Sequence, residues 1–374
     1  MGVPFLDIKR QIGPLKKEIM TAIEVVIEGG AFILGKQVQE LEEAVAKLIG
    51  ATGAVGVSSG SDALLVALMA LGVKDNMSVI TTPFTFFATA GAVARLGARP
   101  TFADIEPDTF NMSPEKAIQA VTKDTVGFLP VHLFGHMADL QALLAFAKDK
   151  GLFVIEDSAQ SILAKSPLGF ASALGTFGIF SFFPTKNLGG FGDGGMVVSM
   201  DNDLLERVRI LRNHGAKPKY HHLYVGGNFR LDTLQAAILL VLLPRLNEWT
   251  EKRREVARNY VKLFEQTGLC EEGFVTLPTE RPGFKHVYNQ FVIRAKRRDE
   301  LCSFLSEKGV GFAIYYPEPL HLQPCFAYLG YKAGDFPEAE KACKEVIALP
   351  MFPELTKTEQ EEVVGRITDF YNNI

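Results

Sequence analysis

FSFFPTKNLGGFGDGG, Phe180 to Gly195, runs from an aromatic stretch into a glycine-dense turn, with one lysine, Lys186, between them. Upstream, the apolar run FVIED closes on an acid, Asp157. Apolar residues on either side of the turn, Phe177 to Phe183 and Met196 to Met200, read as two strands, and so short a connection suits an antiparallel pair. The glycines at 189, 190, 192, 194 and 195 suit a backbone packed closely against a ligand or another chain. A dinucleotide fingerprint is the rival reading of that cluster. It requires a following helix and an acid on the next strand, which this stretch lacks.

Outward from this stretch, residues from about Gly50 to Ser199 alternate short β-branched runs with longer helical patterns. AVGV (Ala54 to Val57), SVIT (Ser78 to Thr81), PTFAD (Pro100 to Asp104), TVGFLPV (Thr125 to Val131) and FVIED (Phe153 to Asp157) are strand candidates. Between them, Asp62 to Leu71, Phe86 to Leu96, Pro114 to Val121 and Asp139 to Lys150 carry apolar residues at helical spacing. This alternation predicts an α/β fold, a largely parallel sheet with helices on both faces. Two amphipathic patterns precede it, Ile12 to Glu28 and Gln37 to Leu48, parted by Gly29 and Gly30. From Leu231 a helical pattern runs towards Glu265 with Pro244 as its kink. Beyond it come a strand (Val287 to Arg294), a helix (Arg298 to Lys308), a strand (Phe312 to Tyr316) and a last helix (Lys357 to Asn372), with Pro317 to Tyr328 as the least regular loop. The division expected is a large domain over 1–250, including an N-terminal arm, and a smaller C-terminal α+β domain over 251–374.

The 374 residues, 47% hydrophobic and 22% charged, exceed what a single core comfortably serves. A net charge of −4 supplies no global field to gather nucleic acid or an anionic membrane. The four cysteines are scattered through the C-terminal third without zinc or redox spacing, which fits a reducing cytoplasm. The stretch MGVPFLDIKRQ lacks an apolar core followed by a cleavage site, so secretion is not expected, and the most apolar run, Ala236 to Leu243, is far shorter than the ~20 residues a bilayer requires. No metal is expected, since His221 and His222 have no third ligand at zinc spacing.

Ligands of open parallel sheets lie beyond the carboxyl ends of the strands. In SSGSDALLVAL a strand ends, Ser58 to Ser61 turn and a helix begins, so free N–H groups there suit a phosphate, with Gly60 permitting close approach and Ser61 adding a hydroxyl. Ordinary capping by Ser59 or Ser61 is the alternative. Asp157, emerging at a strand's end near buried surface, needs a cationic or hydrogen-bonding partner: a protonated pyridine nitrogen, or a structural ion pair or N-cap. Gln160 lies three residues on, and Ser181 is either a back-bonded hydroxyl or a second phosphate donor. Phe86 is placed to lie flat on a planar cofactor, although core packing is the default for any of the 28 phenylalanines. His132, His136 and His214 are candidate substrate groups or ordinary hydrogen-bonding histidines. A lysine beside a glycine-rich turn and an acid at a strand's end are the parts needed to hold pyridoxal 5'-phosphate (PLP) as a Schiff base.

Taken together, SSGSDAL (Ser58 to Leu64), TPFTFFAT (Thr82 to Thr89), VIEDSAQS (Val154 to Ser161), FSFFPTKNLGGFGDGG and GGNFRLDTLQAAIL (Gly226 to Leu239) closely resemble the DegT/DnrJ/EryC1/StrS family of PLP-dependent aminotransferases, which act mostly on nucleotide-linked keto-sugars. The similarity runs from FLDIKRQ at Phe5 to YYPEPLHLQP at Tyr315. It implies the fold type I architecture of aspartate aminotransferase and a homodimer with active sites at the subunit interface. By position, Lys186 resembles the Schiff-base lysine, Asp157 the pyridinium partner, Gln160 the partner of the ring oxygen and Phe86 the stacking aromatic. Gly60, Ser61 and Ser181 fall where the phosphate is held, with Asn228 given by the neighbouring subunit. Arg230, Tyr316 and His321 fall on the substrate side.

The resemblance implies amino transfer from glutamate, with the cofactor cycling through pyridoxamine 5'-phosphate (PMP). KYHHLYVGGNFRLDTLQAAIL (Lys219 to Leu239) is most like enzymes that aminate the 3-keto position of UDP- or dTDP-linked hexoses or hexuronic acids. Amination at C4 is the alternative. SILAKSPLGF (Ser161 to Phe170) departs from the usual pattern after the glutamine, and Tyr315 stands where the uronic-acid enzymes carry histidine. Lys186 argues against the PMP-dependent sugar dehydratases, which replace that lysine with histidine. A non-catalytic regulatory homologue is the remaining alternative.

Overall fold

The computed structural model describes residues 2–373. Nine strands precede residue 200: β1 (Gly53–Val57), β2 (Ser78–Thr81), β3 (Arg99–Phe102), β4 (Thr125–Phe128), β5 (Phe153–Asp157), β6 (Lys165–Ser166), β7 (Gly169–Phe170), β8 (Phe177–Ser181) and β9 (Gly195–Ser199). β6 and β7 pair with each other, and the others form one sheet in the order β1-β9-β8-β5-β4-β2-β3. Strands β8, β5, β4, β2 and β3 are mutually parallel, while β9 pairs antiparallel with both β1 and β8. The expected antiparallel pair around the glycine turn is therefore β8 and β9.

Alternation of side chains along a strand assigns neighbouring residues to opposite faces. Val55, Ile179 and Val197 join one core with the helices Gly60–Ala70, Ala88–Arg95 and Asn202–Leu211. Their chain neighbours Ala54, Phe180, Met196 and Val198 join another with the helices Lys36–Ile49 and Thr233–Leu242. Helix Gly60–Ala70 is apolar on nearly every side and correspondingly buried. Against the edge strand β1, buried Glu42 of helix Lys36–Ile49 accepts the Gly56 N–H at 2.8 Å and an Arg212 Nη1 bond at 2.6 Å; Arg212 also reaches the Gly56 carbonyl at 2.8 Å.

The expected kink at Pro244 is a 3-10 turn, Leu243–Arg245, leading into helix Leu246–Glu265. That helix serves two cores: Leu246 and Trp249 pack with the large sheet, whereas Val256, Tyr260 and Phe264 pack in a C-terminal core. The second core covers an antiparallel sheet of β10 (Val275–Thr276), β11 (Phe291–Ala295) and β12 (Val346–Leu349), with helices Arg298–Glu307, Pro337–Glu345 and Lys357–Asn372 nearby. Val3 is buried there too, and its carbonyl accepts the Gly311 N–H at 2.8 Å.

Two strand expectations change. The one drawn over Val287 to Arg294 begins only at Phe291, because residues 287–290 bend over the lysine loop: Asn187 Nδ2 donates to the Val287 carbonyl at 3.2 Å and Asn289 Nδ2 to Asn187 Oδ1 at 2.9 Å. The one drawn over Phe312 to Tyr316 reduces to a single bridge, Ala313 with Ala348; Tyr315 and Tyr316 leave the sheet to line a cavity, and Pro317 has no N–H to extend the ladder. Helix Pro337–Glu345 and β12 were not expected; one follows the other without a turn residue.

Candidate active site

The carboxyl ends of β1, β2, β4, β5 and β8 open on one cavity of about 410 Å³, lined by Ser59 to Ser61, Thr85, Phe86, Val131, Asp157, Gln160, Ser181 and Lys186 among others. Each of these residues lies at or just past the end of its strand, where backbone groups leave the ladder and side chains are free to converge.

Lys186 sits on a loop whose turns close through Lys186 N to the Phe183 carbonyl at 2.9 Å and Gly190 N to the Phe182 carbonyl at 2.8 Å. Gln235 Oε1 holds the Phe191 N–H at 2.8 Å. A side chain at Gly195 would collide with the backbone of Ser59, so glycine there lets the loop lie against the turn after β1. Burial pushes the Lys186 amine down to about 8, against the pull of Asp157. Asp157 is buried and its carboxyl is raised, chiefly by desolvation; bonds from Thr89 Oγ1 at 2.8 Å and the Ala159 N–H at 3.2 Å oppose that rise, as does the charge of Lys186. The lysine and the acid share a cavity without forming an ion pair within 4.0 Å. Thr89, which fixes Asp157 and bonds Thr85 at 3.2 Å, was not singled out from the sequence, although it ends the stretch TPFTFFAT.

At the β1 end, Ser59 caps the helix that starts at Gly60, its Oγ accepting the Asp62 N–H at 3.0 Å. The capping role weighed from the sequence thus falls to Ser59, and Gly60 and Ser61 face the cavity. A Cβ on Gly60 would stand 2.7 Å from the Cβ of Ser181, so glycine is what lets the helix start approach β8. Gln160 has a defined orientation: Oε1 accepts the Phe134 N–H at 2.6 Å, which turns Nε2 towards the Tyr316 hydroxyl at 3.4 Å. Phe86 precedes its helix, which begins at Ala88, and stays 58% exposed with its ring 6.5 Å from that of Tyr316. So large an apolar face open at a cavity wall is a ready surface for a flat partner.

Asn228 and Arg230 do not line this cavity. They line an adjoining one of about 560 Å³ that shares Ser59 and Asp193 with it, and Arg230 Nη1 donates to Asn213 Oδ1 at 2.8 Å. Tyr316 lines the main cavity, whereas His321 is buried outside both, its ring 4.7 Å from that of Phe336 and its Nε2 3.2 Å from Glu340. Gln290 also lines the main cavity and carried no sequence signal of its own. A larger cavity, about 700 Å³, opens beside Glu42 and Arg212, and none of the residues around Lys186 lines it.

Among proteins of known sequence, the chain is 51% identical over its full length, and over all of the other chain, to a protein of Geobacillus stearothermophilus named a pleiotropic regulatory protein. It is 41% identical to the UDP-N-acetyl-3-dehydro-α-D-glucosamine 3-aminotransferase of Acidithiobacillus ferrooxidans, covering 98% of this chain and 96% of that one. Among solved structures, DesV of S. venezuelae, captured in complex with a ketimine intermediate, superposes with a TM-score of 0.94 at 37% identity, covering 99% of this chain and 98% of that one. The model of the DegT/DnrJ/EryC1/StrS aminotransferase family matches residues 14–368. Family model, relatives and superposition agree with one another, and the chain belongs to the DegT/DnrJ/EryC1/StrS family of sugar-nucleotide aminotransferases.

Proposed function

We propose that this protein moves an amino group from glutamate to the 3-keto position of a nucleotide-linked sugar, using PLP that cycles through PMP, as a cytoplasmic homodimer. The observation that carries the reading is the convergence, in one cavity, of Lys186 and Asp157 with the Gly60, Ser61 and Ser181 cradle.

The donor set fits the cofactor. The cradle pairs a helix N-terminus with two hydroxyls, and any side chain at Gly60 would fill it. The buried carboxylate of Asp157 would answer a ring cation, the Gln160 amide, oriented through Phe134, would serve as a donor to a ring oxygen, and the exposed Phe86 would offer a stacking face. When bound, the cofactor supplies an aldehyde that carries the amino group and a ring that takes up the electron pair left by C–H cleavage.

The chain's own residues do the rest. Lys186, with its amine near 8, exists in good part as the free base at mildly alkaline pH, where it can attack a carbonyl carbon or carry a proton. Asp157 would take its counter-charge from a protonated ring nitrogen, which would favour its ionised form. Thr89 and the Ala159 N–H hold that carboxylate in place. Asn228, in the adjoining cavity, is assigned to the phosphate of the partner subunit's cofactor, and Arg230 to the nucleotide sugar. Exposed apolar residues on nearby loops, Phe32, Ile33, Leu223, Tyr224 and Val225, support a second copy of the chain as their cover. Amination at C3 draws support from the Acidithiobacillus relative, whose name specifies that position.

Borohydride treatment of the cofactor-loaded protein followed by peptide mapping is expected to find the pyridoxyl group on Lys186; attachment to another lysine refutes the site. Amine transfer from glutamate is then measured with 3-keto and 4-keto sugars on UDP and dTDP. Preference for a 4-keto sugar would move the reaction to C4. Failure to turn over glutamate at all would favour the regulatory role that the Geobacillus relative's name carries.

A further inference from the structure

Asp157 is 5% exposed, and two donors reach its carboxylate, the Ala159 N–H on Oδ1 and the Thr89 hydroxyl on Oδ2. The N–H belongs to the backbone just past β5 and is present whatever side chain stands at 159. The hydroxyl depends on one residue of another element, since Thr89 lies in the first turn of helix Ala88–Arg95. Thr85 stands four residues earlier, and its Oγ1 is 3.2 Å from that of Thr89. Both threonines are buried.

The chemistry of the three groups fixes which way this chain of bonds runs. An ionised carboxylate only accepts, so Thr89 spends its single proton on Asp157 and its oxygen is left to accept from Thr85. Thr85 therefore donates to Thr89 and Thr89 to Asp157, each bond polarising the next. Thr85 also lines the cavity, so the chain runs from the cavity wall through the helix start to the acid.

The charges around the acid are arranged so that this bond counts. Burial raises the Asp157 carboxyl, and the Thr89 bond is the leading influence against that rise, ahead of the Ala159 N–H, Lys186 and His132. Lys186 shares the cavity without pairing with Asp157 within 4.0 Å. The Glu156 carboxylate, next along β5, is engaged elsewhere: it accepts the N–H groups of Ser172, Leu174 and Gly175 and faces His132 Nε2 at 2.9 Å. The Tyr316 phenol is kept protonated by burial and by the charge of Asp157.

We infer that Thr89 is a positioning residue for amino transfer: its hydroxyl, itself oriented by Thr85, aims the Asp157 carboxylate and holds it in the charged form that a cationic ring nitrogen requires. The inference deepens the function proposed above and rests on it for the cofactor, whereas the state of the carboxyl in apo-protein does not involve the cofactor.

The first measurement is an infrared titration of full-length apo-protein, in which the protonated Asp157 carboxyl is identified by its disappearance in Asp157→Asn. Thr89→Val keeps the branched shape and removes the hydroxyl. It is expected to move the midpoint upward by about one pH unit or more, the scale of a lost bond to a charged group, and Thr89→Ser is expected to bring it back. An unmoved midpoint in Thr89→Val overturns the inference and leaves aminotransfer intact. Cofactor-loaded protein is then taken through the glutamate half-reaction, followed by absorbance. Thr89→Val is expected to slow it about tenfold, with recovery in Thr89→Ser. In an Asp157→Asn background the same substitution is expected to change the rate less than about twofold, because the hydroxyl acts through the acid. A tenfold loss there as well overturns the positioning role and makes Thr89 a packing residue. Thr85→Val is expected to slow the unaltered protein about twofold and the Thr89→Val protein not at all; equal effects in both overturn the part given to Thr85. Absence of any glutamate half-reaction in the unaltered protein would remove the proposed function, and the positioning role with it, even where the midpoint moves.

Discussion

Asp157 is held by Thr89 Oγ1 and the Ala159 N–H, and Gln160 by the Phe134 N–H, whereas the Lys186 amine on its loop makes no ion pair with the acid. The holders are a helix residue, a loop N–H and a 3-10 turn, so the acid and the amide are fixed before any ligand arrives. The amine stays free at the end of a four-carbon stem. The difference separates groups suited to orient a ligand, which profit from a preorganised grip, from a group suited to react with one.

That contrast breaks most sharply at Lys186. Lys186→Ala is expected to lower transamination by at least about a thousandfold, the upper range for removing a positioned acid–base group. Single-turnover measurement with glutamate checks this, and retention of turnover would transfer the role to another base. Asp157→Asn ranks next, at about a hundredfold, because an amide gives the ring nitrogen no negative partner and a lost bond to a charged group is worth up to about 3 kcal/mol. Its absorbance is expected to report a ring nitrogen that no longer keeps its proton.

The pH response sharpens the comparison further. Lys186 is depressed from 10.5 to about 8, so the rate at which apo-protein captures PLP is expected to climb through pH 8 and then level. Between about pH 8 and 10.5 the unfolded chain still holds the proton that the folded chain has released, so this group makes apo-protein stability rise with pH in that window. A capture rate flat from pH 7 to 9 contradicts the depressed amine. The smallest effect belongs to Ser59, whose cap holds the helix behind the cradle. Ser59→Ala is expected to cost ~1 kcal/mol in chemical denaturation.

The strand-end wall was legible in the sequence because its residues sit on local patterns. Asp157 ends a β-branched run, Gly60 opens an apolar helix, and Lys186 borders a glycine cluster, so each declared its element and its place on it. The last helix, Lys357–Asn372, matched for the same reason: a capping box at Thr356 and Glu359 marks its start. Thr89 escaped notice because its partner is 68 residues away in sequence. Gln290 escaped because nothing in VYNQF distinguishes a strand from a bend; tertiary bonds to Asn187 decide it. Phe312 to Tyr316 has good strand composition and loses its ladder to the proline that follows and to the cavity that two tyrosines enter. Asn228 and Arg230 were singled out by resemblance, and in the chain they line a cavity beside the main one.

Val3 lies in the C-terminal core while Leu15 and Ile19, a few turns on, lie against the large sheet, and helix Leu246–Glu265 carries the chain back. The polypeptide thus passes twice between the part that builds the large sheet and the part that builds the small one. Between these crossings the two parts share a greasy seam, in which Phe84, Phe102 and Phe134 lie against Val292, Phe326 and Val346. Prising them apart would wet all of these side chains, so both parts are expected to melt in one cooperative transition.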